Sequence, residues 1–161
     1  HRVHRRQRQM CIRDSSGNAA AIGYSQQKKI NFDLGLIRNH YVGRTFIEPG
    51  QKIRSLGVKL KLNANRSSIE NKKIILVDDS IDRGTTSHKI VKMLYDAGAK
   101  EVHLRIACPE IKFPDFYGVD MPTKKELLAA NKSVEEICDY VKAKSLKFLS
   151  LDGLYLSLIH I

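Results

Sequence analysis

The sequence predicts an α/β fold, Rossmann-like, with a mainly parallel sheet flanked by helices. Three observations carry this reading. KKIILV (residues 72–77) is an apolar run of strand length bounded by charge, the pattern of a strand buried on both faces. TTSHKIVKMLYDAGAK follows, with Ile90, Val91, Met93, Leu94 and Ala97 at helical spacing and Gly98 placed as a C-cap. EVHLRIAC (residues 101–108) is a second strand, ended by Pro109. Strand, turn, helix and strand in succession make a right-handed parallel βαβ unit.

The other elements take their places around this unit. GNAAAIGYSQQ (residues 17–27) reads as a short helix of small residues, and INFDLGLI (30–37) as a strand. Residues 38–68 lack a clear period and are punctuated by Gly43, Pro49, Gly50 and Gly57, as in a functional loop or lid. TKKE (123–126) and SVEE (133–136) are capping boxes that open two helices, and SLKFLSL (145–151) is a last strand.

Composition narrows the class. The chain has 161 residues, enough for one domain, and at 42% hydrophobic it can bury a core. No apolar run approaches the about 20 residues of a membrane span. Three widely spaced cysteines, Cys11, Cys108 and Cys138, suit a reducing compartment, and the expected location is cytoplasmic. The net charge is +11, which raises nucleic acid as a partner. Residues 1–13 alone hold five arginines and no acid. Much of the remaining excess lies in residues 44–66, where Arg44, Lys52, Arg54, Lys59, Lys61 and Arg66 face the single acid Glu48. This distribution favours a solvated face or an anionic small-molecule ligand over nucleic acid.

The chemistry concentrates in IILVDDSIDRGTTS (residues 74–87). In an open parallel sheet, ligands bind beyond the carboxyl ends of strands, where Asp78 and Asp79 stand. Adjacent carboxylates repel each other unless sugar hydroxyls or Mg²⁺ meet them; the plainer alternative is a strand end reaching solvent. Gly84 lets a ligand approach the backbone, and Thr85, Thr86 and Ser87 lie at the positive end of the following helix, a natural phosphate site. Thr86 or Ser87 also reads as an ordinary N-cap. Carboxylates followed by a phosphate cradle suggest a ribose 5-phosphate ligand. There is no Gly-Lys-Ser/Thr of a Walker loop.

IILVDDSIDRGTTS resembles the motif that binds phosphoribosyl pyrophosphate (PRPP) in type I phosphoribosyltransferases. The flanking segments, residues 35–66 and CPEIKFPDFYGVDMPTKKELLA (108–129), resemble the glutamine phosphoribosylpyrophosphate amidotransferase family of purine biosynthesis. The resemblance covers roughly residues 16–155 and implies a type I phosphoribosyltransferase fold with a lid at about 38–68. It implies that Asp78 and Asp79 contact ribose and Mg²⁺, and that Asp82, Arg83, Gly84, Thr85, Thr86 and Ser87 hold the 5-phosphate. Ser16 fits a further metal position, and Arg44 and Thr45 sit where the lid would close over pyrophosphate. His40 lies in the same lid. The implied reaction joins ammonia to the anomeric carbon of PRPP, giving 5-phosphoribosylamine and pyrophosphate.

The departures carry their own expectations. The family makes ammonia from glutamine in an N-terminal glutaminase domain that this chain lacks, so the reaction here would depend on free ammonia. The full-length enzyme is expected to be a homo-oligomer. Some members hold an iron–sulfur cluster through four cysteines, one in the segment that here reads FPDFYG; Asp115 takes that place, and no cluster is expected. Cys108 and Cys138 read instead as a buried strand residue and a helix residue. Asp82 stands where the family usually carries valine, with its carboxylate expected to face outward. That acid keeps a PRPP synthetase-like pyrophosphokinase as the alternative, beside a PRPP-sensing regulator that binds nucleic acid. Residues 1–15 and 156–161 match neither family nor pattern and read as non-native tails on an internal fragment.

Overall fold

Residues 74–77 form the middle of the central strand of a parallel sheet. The computed structural model describes residues 8–12, 14–38, 62–115 and 123–158. In chain order the elements are β1 (Arg8–Ile12), α1 (Asp14–Lys28), β2 (Asn31–Phe32), β3 (Leu36–Arg38), β4 (Leu62–Ala64) and α2 (Arg66–Ile69). The second half contains β5 (Lys73–Asp78), α3 (Thr85–Asp96), β6 (Glu101–Ile106), α4 (Leu128–Asn131), α5 (Val134–Val141), β7 (Ser145–Phe148) and α6 (Leu151–Leu158). The main sheet has the order β2-β1-β5-β6-β7, with every pairing parallel.

β5 is buried from Ile74 to Asp78, as its uninterrupted apolar run predicts. Ile74 and Leu76 face the larger core, which α3 and α5 complete with Ile90, Val91, Leu94, Ile137 and Val141. Ile75 and Val77 face the other way and pack with Ala21 of α1. α3 shows the apolar spacing read from the sequence. Gly98 closes it at φ +95°, where its N–H donates to Tyr95 O at 2.9 Å and the next N–H, of Ala99, reaches Leu94 O at 3.1 Å.

β6 differs from β5 in burying only alternate residues, Val102, Leu104 and Ile106. Its other face carries Glu101, His103 and Arg105, in line with Lys73 of β5 and Ser145 of β7. Lys73 pairs with Glu101, and the Lys73 ammonium holds that carboxyl below its ordinary range. His103 bridges Glu101 at 3.2 Å and Ser145 Oγ at 2.9 Å, while Arg105 Nη1 donates to the same hydroxyl at 3.1 Å. Among the described residues, the half of the sheet beyond α1 thus carries a polar ladder on this face.

Several boundaries differ from the sequence expectation. The segment 30–37 is two strands in different sheets, because the chain leaves the main sheet after Phe32 and re-forms at Leu36. There β3 pairs antiparallel with β4, Leu36 against Ala64, so both ends of the long basic segment are pinned side by side. The end of the expected lid is ordered as β4 and α2; residues 39–61, with His40, Arg44 and Thr45, lie outside the described residues. TKKE forms a turn, not a helix start: Glu126 Oε2 accepts from the Thr123 N–H at 3.3 Å, and α4 begins only at Leu128. SVEE makes the full capping box that opens α5. Residues 8–12 pair with β5 inside the main sheet, ahead of the domain start expected at residue 16, and α6 runs on to Leu158. Among the described residues, no helix is long and apolar enough to cross a membrane.

Candidate phosphoribosyl site

β5 delivers its last residue, Asp78, to the carboxyl edge of the sheet, where the side chain is 2% exposed. Asp79 follows in the open. The Asp79 N–H donates to Asp78 Oδ1 at 3.1 Å, and the Ser80 N–H to Asp79 Oδ1 at 2.8 Å, so local backbone donors orient both carboxylates. Buried Ile81 anchors the connection to the core. Position 17 in the first part of α1 also meets this edge: a Cβ there would lie 3.6 Å from the Val77 carbonyl oxygen. Ser16 immediately precedes that position in α1.

Gly84 is the N-cap of α3, at φ +68°. It supplies no capping side chain, and no acid lies in the first turn. The N-terminal N–H groups of α3 consequently keep their affinity for an anion. Thr86 and Ser87 are inside the helix and not at its cap; Thr85 is exposed, whereas Ser87 is buried. A second reason for glycine at position 84 is steric. A Cβ would overlap Leu128 Cδ1 and lie 3.1 Å from the Tyr140 ring.

The segment around α4 holds the loop from its far side. The Leu128 N–H donates to Asp82 O at 2.9 Å, and Arg83 pairs with Glu126 at 3.3 Å. His88, one turn into α3, meets the Tyr140 carbonyl at 2.9 Å. No periodicity or motif announces these contacts, because the partners lie more than forty residues apart.

Asp82 overturns the outward orientation expected for it. Its Oδ1 is buried and has no hydrogen-bond partner among the described residues. Burial, and then the neighbouring charge of Asp79, push the carboxyl above its ordinary range, with Arg83 partly opposing them. The backbone of Asp82 is fixed by the Leu128 N–H.

Cys108 lies just past the end of β6, not within it as expected, and Cys138 is in α5. Burial and the charges of Asp79, Asp82 and Asp78 push the Cys108 thiol from 9.0 up to about 11. Its thiolate fraction at pH 8 should therefore be about 100-fold lower than that of an unperturbed cysteine. Peptide-resolved alkylation by iodoacetamide should show that suppression in the native chain and lose it in urea. Equal native and denatured rates would contradict it.

Among the described residues no cluster of three or more His, Cys, Asp or Glu side chains is placed to cage a metal. The acid pair nevertheless fits Mg²⁺, which takes one or two carboxylates and completes its shell with water and substrate phosphates. A separate cavity of about 390 Å³ lies between α1 and the ends of β5 and β6. Ala20, Tyr24, Val77, Ile106 and Leu149 line it, and none of residues 78–87 does, so it does not share the acid and phosphate features.

A parallel sheet with an acid pair and a glycine-capped helix N-terminus at its carboxyl edge is the architecture of a phosphoribosyltransferase. The model of the phosphoribosyl transferase domain matches residues 36–120, and the chain belongs to that family. Within it, the similarity is to amidophosphoribosyltransferases. The Rhizobium etli enzyme of that name is 60% identical over 140 residues, which is 86% of this chain and 28% of the relative. The chloroplastic enzyme of Glycine max is 57% identical over 139 residues, 86% of this chain and 24% of the relative. The glutamine PRPP amidotransferase from B. subtilis, complexed with ADP and GMP, superposes with a TM-score of 0.78 at 51% identity. That superposition covers 92% of this chain and 32% of the other. The chain thus spans about a quarter of the length of the curated relatives it matches.

Proposed function

We propose that this chain carries the PRPP site of an amidophosphoribosyltransferase, serving the first step of purine biosynthesis. One observation carries the reading: Asp78, Asp79 and the uncapped N-terminus of α3 occupy a single connection at the carboxyl edge of the sheet. Asp79 is open to the ribose and metal, while buried Asp78 orients it through the Asp79 N–H. The backbone of residues 83–87 receives the 5-phosphate, with Thr85 the hydroxyl most open to it. Pyrophosphate is assigned to Arg44 and Thr45, on the resemblance of their segment to the family's lid. Asp78 and Asp79, with Ser16 as a further ligand position, would hold Mg²⁺, which would supply charge neutralisation to pyrophosphate as a leaving group. The C–N bond to ammonia forms as the C–O bond to pyrophosphate breaks, and exclusion of water protects the activated sugar from hydrolysis. In the whole enzyme a glutaminase domain would deliver the ammonia, within a homo-oligomer in a reducing compartment.

Titration with PRPP and Mg²⁺ tests the site. Saturable binding should appear only with both present and should weaken more than about tenfold in Asp78→Ala/Asp79→Ala, since charged contacts of this kind are worth about 1.5–3 kcal/mol each. Equal affinity of the double variant and the parent chain would refute the assignment. Pyrophosphate release that requires added ammonium would extend it to catalysis.

A further inference from the structure

We propose that Glu126 sets the anion affinity of the loop by occupying Arg83, acting as a positioning residue from outside the motif. The inference rests on the reading of residues 82–87 as a phosphate site. Arg83 is the only arginine between Asp78 and Ser87, a stretch that also holds three acids. Its Nη2 donates to Glu126 Oε2 at 3.3 Å. The same oxygen accepts from the Thr123 N–H at 3.3 Å and from Thr123 Oγ1 at 3.4 Å. The carboxylate is therefore held by its own turn, independently of Arg83.

The two backbones are also fixed to each other. Leu128 N–H binds Asp82 O, and Gly84 packs against Leu128 and Tyr140. The ion pair spans a gap that is already set, so it is not needed to hold the segments together. Both side chains are about half exposed, 45% and 50%, and an exposed pair of this kind adds at most about 1 kcal/mol to stability. Its consequence is electrostatic. An incoming phosphate meets open Asp79, with Asp78 and Asp82 behind it, beside a guanidinium whose charge is already balanced by Glu126. Phosphate must take Arg83 from Glu126, and the exposure of both groups makes that exchange feasible in water. Glu126 thereby competes with the ligand for the one arginine of the loop.

The test uses the full chain, with inorganic phosphate and PRPP as probes, in the parent, Glu126→Gln, Arg83→Gln and the double variant. Glutamine at 126 keeps an oxygen for Thr123 while removing the charge. Glu126→Gln should tighten phosphate binding about two- to fivefold at low salt, the range of an exposed ion pair. The gain should vanish in the Arg83→Gln background and shrink in 0.5 M salt, as screening requires of solvent-exposed charges (this concentration is roughly between those with Debye lengths of 8 and 3 Å). Unchanged or weaker binding in Glu126→Gln overturns the proposal. So does an equal gain with Arg83 absent, which would mark Glu126 as a diffuse negative charge. If Glu126→Gln does not fold, Arg83→Gln alone decides: it must weaken phosphate binding, and unchanged affinity overturns the competition. A parent chain that binds neither probe overturns the site reading as well, whereas a parent that binds with uncoupled variants overturns only the role of Glu126.

Discussion

Asp82→Val should stabilise the fold at neutral pH by about 1–3 kcal/mol, the cost of leaving a buried polar group unpaired. The Asp82 Oδ1 atom is buried with no partner among the described residues, and its backbone contact to Leu128 survives the substitution. The pH dependence fixes the sign. The carboxyl titrates above its ordinary 3.8 because of burial and Asp79. Below that value both folded and unfolded chains hold the proton. As the pH rises past it, the unfolded chain ionises first, so stability is lost with rising pH until the folded carboxyl ionises too. Denaturant midpoints of parent and variant should therefore converge in acid, below about pH 4, and separate above it. Equal midpoints at pH 7, or a difference that grows toward acid, would contradict the buried placement. Removing a negative charge beside the phosphate cradle should tighten PRPP binding in the same variant.

Gly84→Ala should be the most damaging single change in the loop. The backbone at φ +68° costs an ordinary residue about 1–2 kcal/mol. The added methyl overlaps Leu128 Cδ1, and overpacking adds about 1–3 kcal/mol. The expected loss, about 2–5 kcal/mol in chemical denaturation, combines these two causes. A compensating Leu128→Ala should recover the steric part and leave the conformational part. Gly98→Ala is the internal comparison: its φ is also positive, but its nearest neighbour, at 3.1 Å, is the flexible Glu70 side chain. A Gly84→Ala loss no greater than that of Gly98→Ala would remove the packing argument. PRPP affinity should fall with Gly84→Ala even where the protein remains folded, because Gly84 begins the helix whose N–H groups are the proposed phosphate cradle.

The βαβ unit was legible because its signals are local. A strand buried on both faces must be apolar throughout, and a helix on a core must repeat its apolar residues every turn. IILV and the Ile90–Leu94 spacing meet those conditions in β5 and α3. The break in residues 30–37 was not legible, since the apolar content on both sides of Asp33 suits strand in either sheet. Residues 8–12 match no strand pattern, and their backbone pairs with β5 from Lys73 to Val77. Hydrogen bonding to a central strand is a property of the neighbour as much as of the segment.

The candidate site divides in the same way. Chemistry that one connection can hold is written in its residue types: two carboxylates at a strand end, then glycine and hydroxyls at a helix start. From these the sequence by itself determined the α/β class and the family resemblance, and pointed to the carboxyl edge of the sheet as the place of the candidate site. Only the tertiary structure decided that Asp78 is buried while Asp79 is open, that Asp82 turns inward, that Leu128 and Tyr140 hold the loop, and that Glu126 pairs with Arg83. Residue type sets what a side chain can bind. Which solvent, charge or neighbour it meets depends on segments far away in the chain, brought together by a core whose packing no local pattern encodes.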